Sequence, residues 1–115
     1  MDKRIVKNLS PKELETIKIF QAKVSQQFEV VDLKLFGSKA RGDFHKHSDI
    51  DILLVLKKVS DSLEKKVYSL VNDIFLKTGV DLSVKIFSEK EYKKLNAIPT
   101  AFMQLVQQDG ISLTS

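Results

Sequence analysis

Residues 37–56 read GSKARGDFHKHSDIDILLVL and join a Gly-Ser pair to two aspartates at the start of an apolar run. Asp49 and Asp51 are two residues apart, and side chains at that spacing project from the same face of a strand. The isoleucines that alternate with them then point to the opposite face, toward a core. The apolar run Ile52–Leu56 is typical of a central strand covered on both faces. This stretch therefore predicts a buried strand that begins with two convergent carboxylates.

Two carboxylates this close repel each other unless a positive charge lies between them. A hard divalent cation meets that need, and Mg²⁺ favours one or two carboxylates together with phosphate oxygens and water. A third acid, Asp81, stands alone in a predicted strand at residues 80–87. If that strand pairs beside the first, Asp81 can join the cluster, either as a general base or as a ligand of a second metal ion.

The Gly37-Ser38 pair occupies a predicted strand-to-helix turn. Glycine lets the backbone approach a ligand closely, and the helical turn that follows presents free N–H groups to an anion. The Ser38 hydroxyl could bond a terminal phosphate oxygen. Lys39 and Arg41 could add positive charge, or one of the two could simply be solvated.

The surrounding pattern alternates helices and strands and predicts an α/β (α+β) fold, with a small sheet flanked by helices. Two helices begin at capping boxes, Ser10 to Glu13 and Ser88 to Glu91. The predicted helices are Pro11–Gln27, a turn at 38–41, one from Ser60 or Ser62 to about residue 78, a short one to Asn96, and one from Pro99 to Gly110. The predicted strands are 31–36, Ile50–Leu56 and 80–87, and residues 111–113 form a short strand or a tail.

Length and composition predict one domain, residues 1–115. There is no cysteine, the N-terminus does not read as a signal peptide, and no apolar run approaches the ~20 residues that span a bilayer. A cytoplasmic protein without membrane contact is expected. The formal net charge is +4, but the lysines are spread along the chain, so nucleic acid is not expected as a direct partner.

The Gly37–Gly42 segment and the Ser48–Leu53 segment together closely resemble the signature of the DNA polymerase β-like nucleotidyltransferase superfamily. Within it, residues 11–110 look like the minimal nucleotidyltransferases, the antitoxin halves of bacterial and archaeal toxin–antitoxin pairs. The resemblance implies that fold with a small mixed sheet. It also implies that Asp49, Asp51 and Asp81 bind two Mg²⁺ ions, that Gly37 and Ser38 hold the triphosphate, and that Arg41 matches the arginine of the pattern.

This resemblance implies transfer of a nucleotidyl group, AMP from ATP, to a tyrosine hydroxyl of a partner toxin of the HEPN type. One alternative is an antitoxin or binding module that neutralises its partner by complex formation without chemistry. Separately, either a homo- or a hetero-oligomer is compatible with the sequence. Another is transfer to a small molecule such as an aminoglycoside. His45 and His47 lie in the polar loop before Asp49, and two histidines without a third ligand favour a solvated loop over a metal site.

Overall fold

The computed structural model describes residues 3–42 and 49–113. In chain order, the elements within these ranges are as follows: α1 Lys3–Asn8, α2 Pro11–Gln27, β1 Val30–Phe36, α3 Ser38–Arg41, β2 Ile50–Leu56, α4 Asp61–Thr78, β3 Leu82–Ser88, α5 Glu89–Asn96, α6 Ala101–Asp109 and β4 Ile111–Ser112. None of the helices in these ranges is both long enough and apolar enough to cross a membrane.

The four strands form a single mixed sheet in the order β3-β2-β1-β4. β1 is antiparallel to both β2 and β4, and β2 is parallel to β3. Phe36 at the end of β1 pairs with Asp51, and Ile50 at the start of β2 pairs with Leu82 at the start of β3. The end of β1 and the starts of β2 and β3 therefore meet at one end of the sheet, where the predicted site residues are concentrated.

Both faces of the sheet are covered, as the apolar β2 segment predicted. On one face α2 and α4 pack against Ile50, Ile52 and Leu54, which are at most 1% exposed. On the other face α5 and α6 cover Leu53 and Val55, which are fully buried. The alternation along β2 therefore divides the core into two layers and leaves Asp51 on the second face.

The predicted helix caps are confirmed. Ser10 and Glu13 form the capping box of α2, and Ser88 opens α5 in the same way. The Ser60 hydroxyl caps α4, which decides between the two serines that the sequence offered. Gly79, with φ of 75°, ends α4 in the left-handed conformation that favours glycine.

Two predicted boundaries are wrong by two residues. β3 begins at Leu82 rather than at residue 80, because the Val80 amide still bonds the Thr78 hydroxyl at 3.1 Å as the chain leaves α4. α6 begins at Ala101 rather than at Pro99, because the hydroxyl of Thr100 caps it by accepting from Met103 N at 3.1 Å.

One element was not predicted, and another decides between two predicted alternatives. The sequence did not predict α1, which packs against α3 and whose Asn8 amide donates to the Ala40 carbonyl at 3.2 Å. β4 is the strand alternative left open for residues 111–113, and it extends the sheet through the pairing of Ile111 with Leu35.

Candidate active site

The turn between β1 and α3 is built around Gly37. Its φ is 76°, a conformation that L side chains rarely adopt. The amides of Ala40 and Arg41 donate to the Gly37 carbonyl at 3.1 and 3.2 Å and so close the turn. A Cβ atom at position 37 would overlap the Oδ2 atom of Asp51. Glycine is therefore required both for the backbone angle and for the space that the Asp51 carboxylate occupies.

Asp49 and Asp51 are brought together at the start of β2, as the sequence predicted. Burial raises the pKa of Asp51, and the negative charge of Asp49 raises it further, whereas Lys85 and Arg41 act in the opposite direction. The Asp51 carboxylate is partly buried and Asp49 is exposed. Two neighbouring carboxylates, one of them partly buried, form a donor set suited to a divalent cation, whose charge would offset theirs.

Asp81 lies at the same end of the sheet, immediately before β3. The register pairs Ile50 with Leu82, so Asp49 and Asp81 each stand one residue ahead of paired positions. Neighbouring strands are roughly 5 Å apart, which brings the two backbones close if the alignment continues for one more residue. The parallel pairing of β2 with β3 confirms the prediction that the strand after Asp81 lies beside the strand that begins at Ile50.

The Asp81 side chain is exposed and borders a cleft against α4. The cleft has a volume of about 290 Å³ and is lined by Tyr68, Val71, Asn72, Phe75 and Asp81. Within residues 3–42 and 49–113, no group of three or more His, Cys, Asp or Glu side chains is arranged to hold a metal ion. The structure therefore brings Asp49 and Asp51 together, and the triad that includes Asp81 stays a prediction.

The two basic residues after Ser38 have different surroundings. The positive charge of Arg41 offsets part of the rise in the pKa of Asp51. The Nη1 atom of Arg41 is 3.4 Å from Oδ2 of Asp109 at the end of α6. The side chain of Lys39 is 3% exposed, and its Nζ atom is 2.8 Å from Oε2 of Glu13. The Lys39 ammonium is therefore not solvated but buried in an ion pair with Glu13, and Arg41 is the exposed one of the two basic residues.

Lys85 is a site residue that the sequence analysis missed. It is exposed on β3, two positions beyond Ser83, which pairs with Asp51. Alternation along β3 puts Ser83 and Lys85 on one face of the sheet. The parallel pairing of β3 with β2 places Lys85 near Asp51, and the sequence alone does not show this pairing.

Some predicted residues lie outside the part of the chain that the structure describes. These are the Ser38 side chain and the loop at 43–48 with His45 and His47. The proposed contact of the Ser38 hydroxyl with a phosphate and the solvated state of the two histidines therefore stay predictions.

Residues 16–102 match the family described as "Nucleotidyltransferase domain". The chain belongs to this nucleotidyltransferase family. It is 32% identical over 103 residues to a proposed protein adenylyltransferase of Methanocaldococcus jannaschii, MJ0141, a match that covers 87% of this chain and 97% of the relative. A second proposed protein adenylyltransferase of that organism, MJ0604, is 38% identical over 76 residues, which is 66% of this chain and 70% of the relative.

Solved structures share the fold of this nucleotidyltransferase. A proposed nucleotidyltransferase from Sulfolobus solfataricus aligns with a TM-score of 0.54 at 21% identity, over 97% of this chain and 87% of that chain. A toxin–antitoxin structure with AMP-PNP aligns with a TM-score of 0.55 at 22% identity, over 88% of this chain and 72% of the other. A variant of the MntA-HpeT toxin–antitoxin, with two aspartates two residues apart changed to glutamate, aligns with a TM-score of 0.57 at 20% identity, over 87% and 73%.

These findings confirm the predicted fold, with its mixed sheet flanked by helices, and the resemblance to minimal nucleotidyltransferases. The chain is a nucleotidyltransferase.

Proposed function

We propose that this nucleotidyltransferase transfers AMP from ATP to a tyrosine hydroxyl of a partner protein, and that this modification makes it an antitoxin. The observation that supports the proposal most directly is the position of the Asp51 carboxylate. It lies against Gly37, which has no side chain, and it is close enough to Asp49 for the negative charge of Asp49 to raise its pKa. A carboxylate pair beside a glycine turn that leads into a helical turn is a combination suited to a metal-bound nucleotide.

In this proposal Asp49 and Asp51 hold Mg²⁺, which supplies charge neutralisation and Lewis acidity at the reacting phosphate when bound. Gly37 allows the phosphates to approach the backbone, and the Ser38 hydroxyl adds a hydrogen bond to them. Arg41 contributes positive charge near Asp51, and its contact with Asp109 limits where its guanidinium can lie. Catalysis rests on positioning and electrostatics, since no protein nucleophile is needed.

The choice of a protein acceptor rests on the relatives. Both curated relatives are named as protein adenylyltransferases, and the match covers 97% of the length of one of them. Two structural neighbours come from toxin–antitoxin pairs, and one of these is solved with AMP-PNP. We therefore take ATP as the donor and a partner toxin as the acceptor, and the resemblance to minimal nucleotidyltransferases implies that this toxin is of the HEPN type. We place the reaction in the cytoplasm, because a chain without cysteine has no need of an oxidising compartment.

Calorimetric titration of Mg–ATP into the wild-type chain and into an Asp49→Ala/Asp51→Ala variant tests the nucleotide site. Binding that requires Mg²⁺ and is lost in the variant is expected. An Asp73→Ala variant is the matched control, since Asp73 is exposed on α4 and has no assigned role. Absence of Mg–ATP binding by the folded wild-type chain, both alone and mixed with its partner toxin, would refute the proposal.

Mass spectrometry of the partner toxin after incubation with the enzyme and ATP tests the transfer. The expected product carries one or more AMP groups on tyrosine. A toxin that is neutralised equally well by the wild-type chain and by the Asp49→Ala/Asp51→Ala variant, without gaining mass, would instead establish inhibition by complex formation.

A further inference from the structure

The Asp109 carboxylate at the end of α6 contacts the turn that carries the Gly-Ser pair. Its Oδ2 atom is 3.4 Å from Nη1 of Arg41, and its side chain is 14% exposed. The dipole of a helix disfavours a negative charge at the C-terminal end, and the last turn of α6 contains no basic residue to offset it. Asp109 therefore does not stabilise its own helix, and the cation that faces it lies on α3.

The backbone on both sides of Asp109 is attached to the sheet. Before it, Phe102 of α6 packs edge-to-face on Phe36 of β1, with ring centroids 5.6 Å apart. After it, Ile111 of β4 pairs with Leu35, the neighbour of Phe36. The short side chain of an aspartate has few torsions, so a fixed backbone also holds its carboxylate closely in place. Asp109 is therefore a rigid anchor for a cation.

Arg41 connects this anchor with the carboxylates of the proposed nucleotide site. Its positive charge opposes the rise in the pKa of Asp51. Phe36, on which α6 packs, pairs with Asp51, so α6 covers the sheet beside this carboxylate. An arginine side chain loses much rotamer freedom when it is fixed, but its guanidinium carries five donors in a planar fork. It can therefore bind a carboxylate and a phosphate oxygen at the same time.

We propose that Asp109 is a positioning residue that holds the Arg41 guanidinium ready for the triphosphate of the bound nucleotide. This inference rests on the proposed function and extends it to a residue outside the Gly37 turn and the aspartate pair. Without Asp109, the nucleotide itself would have to order the Arg41 side chain, which lowers the net free energy of binding. Asp109 contacts neither the phosphates nor the metal in this arrangement and acts only through Arg41.

The sign of the effect of Asp109→Asn separates positioning from plain electrostatic repulsion. Asparagine keeps the shape of the side chain and removes its charge. A carboxylate that acted only as a negative charge near the triphosphate would weaken binding, so its removal would tighten binding. Positioning predicts the opposite, a Kd for Mg–ATP that is roughly fivefold higher in calorimetry. The melting temperature should change little, because an exposed ion pair adds little stability and the end of α6 loses an unfavourable charge.

Two further variants show whether Asp109 acts through Arg41. In an Arg41→Ala background, Asp109→Asn should have no additional effect on the Kd, since the group that it positions is gone. Glu89→Gln is the matched control, because it removes a carboxylate whose Oε1 atom is 3.2 Å from Nζ of Lys57, just beyond the other end of β2. This control should bind Mg–ATP as the wild type does. Equal losses from Asp109→Asn with and without Arg41 would contradict the inference.

The order of the Arg41 side chain can be measured without nucleotide. Arginine occurs only at positions 4 and 41, so ¹⁵N spectra of the Nε–H groups contain one signal from each, which an Arg4→Lys variant assigns. The heteronuclear NOE of Arg41 should fall in Asp109→Asn and stay unchanged in Glu89→Gln. An equally ordered Arg41 in both variants, or Mg–ATP binding by Asp109→Asn that is unchanged or tighter, rejects the role of Asp109 alone. A wild-type chain that binds no Mg–ATP, alone or with its partner, rejects the proposed function and this inference with it.

Discussion

Replacement of Asp51 by asparagine should stabilise the metal-free protein while abolishing its use of Mg–ATP. Burial and the Asp49 charge raise the pKa of Asp51 in the folded state. A carboxylate whose folded pKa is raised is unfavourable to folding once it is ionised. Asparagine keeps the shape of the side chain but removes the charge, so the variant loses this penalty together with a metal ligand.

The part of the effect that comes from the Asp49 charge, which adds to that of burial, follows from the spacing of the two acids. At the 6–7 Å separation of alternate strand residues, two unit charges repel by roughly 0.6 kcal/mol in water and about 2.5 kcal/mol at an effective dielectric constant of 20. Asp51 is only partly buried, and Lys85 and Arg41 offset part of the repulsion. We therefore expect a gain of about 1 kcal/mol at neutral pH. For a chain of 115 residues this corresponds to roughly 4 °C in melting temperature.

Thermal unfolding in EDTA as a function of pH measures this gain. Because the folded pKa of Asp51 is raised, its unfavourable contribution is absent below the unfolded pKa and appears as the pH rises through the folded value. The difference between Asp51→Asn and wild type should therefore be present at pH 7 and vanish in acid. Asp73→Asn, which removes an exposed charge of the same sign, controls for net charge. A variant that is no more stable than wild type at pH 7, or a difference that persists in acid, would refute the reasoning.

Three further predictions concern the Gly37 turn, the buried ion pair and the metal. Gly37→Ala should cost about 1–2 kcal/mol in urea unfolding, because alanine is strained at positive φ. Its Cβ should also displace the Asp51 carboxylate and weaken Mg–ATP binding in calorimetry. Glu13→Gln should cost about 2 kcal/mol in the same unfolding assay by removing the carboxylate that pairs with the buried Lys39 ammonium, and adding Lys39→Met should recover part of the loss. Mg²⁺ at ten times its dissociation constant should stabilise the wild-type chain by about 1.4 kcal/mol in thermal unfolding, but not the Asp49→Ala/Asp51→Ala variant.

The pH dependence of the Glu13 contribution has the opposite sign to that of Asp51. Burial alone would raise the pKa of Glu13, but hydrogen bonds from Lys39 and Ser10 together lower it below its usual value. The stability that Glu13 contributes is therefore present above its unfolded pKa and is lost as the pH falls through its folded value. Wild type and Glu13→Gln should converge in urea midpoint as the solution becomes acidic.

Local patterns in the sequence were sufficient to predict most elements and the proximity of Asp49 to Asp51. The β2 strand followed from its alternation and apolar run, and α2 and α5 followed from their capping boxes. The convergence of Asp49 and Asp51 also needed only the geometry of one strand. These features depend on residues close together in the chain, whose side-chain directions are fixed by the backbone.

Features that depend on distant residues were not predictable in the same way. The ion pair of Lys39 with Glu13 joins two helices that are adjacent only in the folded chain. Lys85 reaches Asp51 through the parallel register, and the cleft beside Asp81 forms only after α4 packs on the sheet. The small helix α1 has six residues, too few to show a helical period, and it is placed by its contact with α3.

The Glu13 side chain contacts both the residue that caps α2 and a residue of α3, two elements that are separated in the sequence by β1. One carboxylate oxygen accepts from the Ser10 amide and completes the start of α2, while the other pairs with Lys39 one residue beyond the Gly-Ser pair. The Glu13 side chain thus links the start of the first long helix to the Gly37 turn. Among homologues, positions 13 and 39 should accordingly change as a pair, and an opposite-charge exchange should be tolerated better than either single replacement.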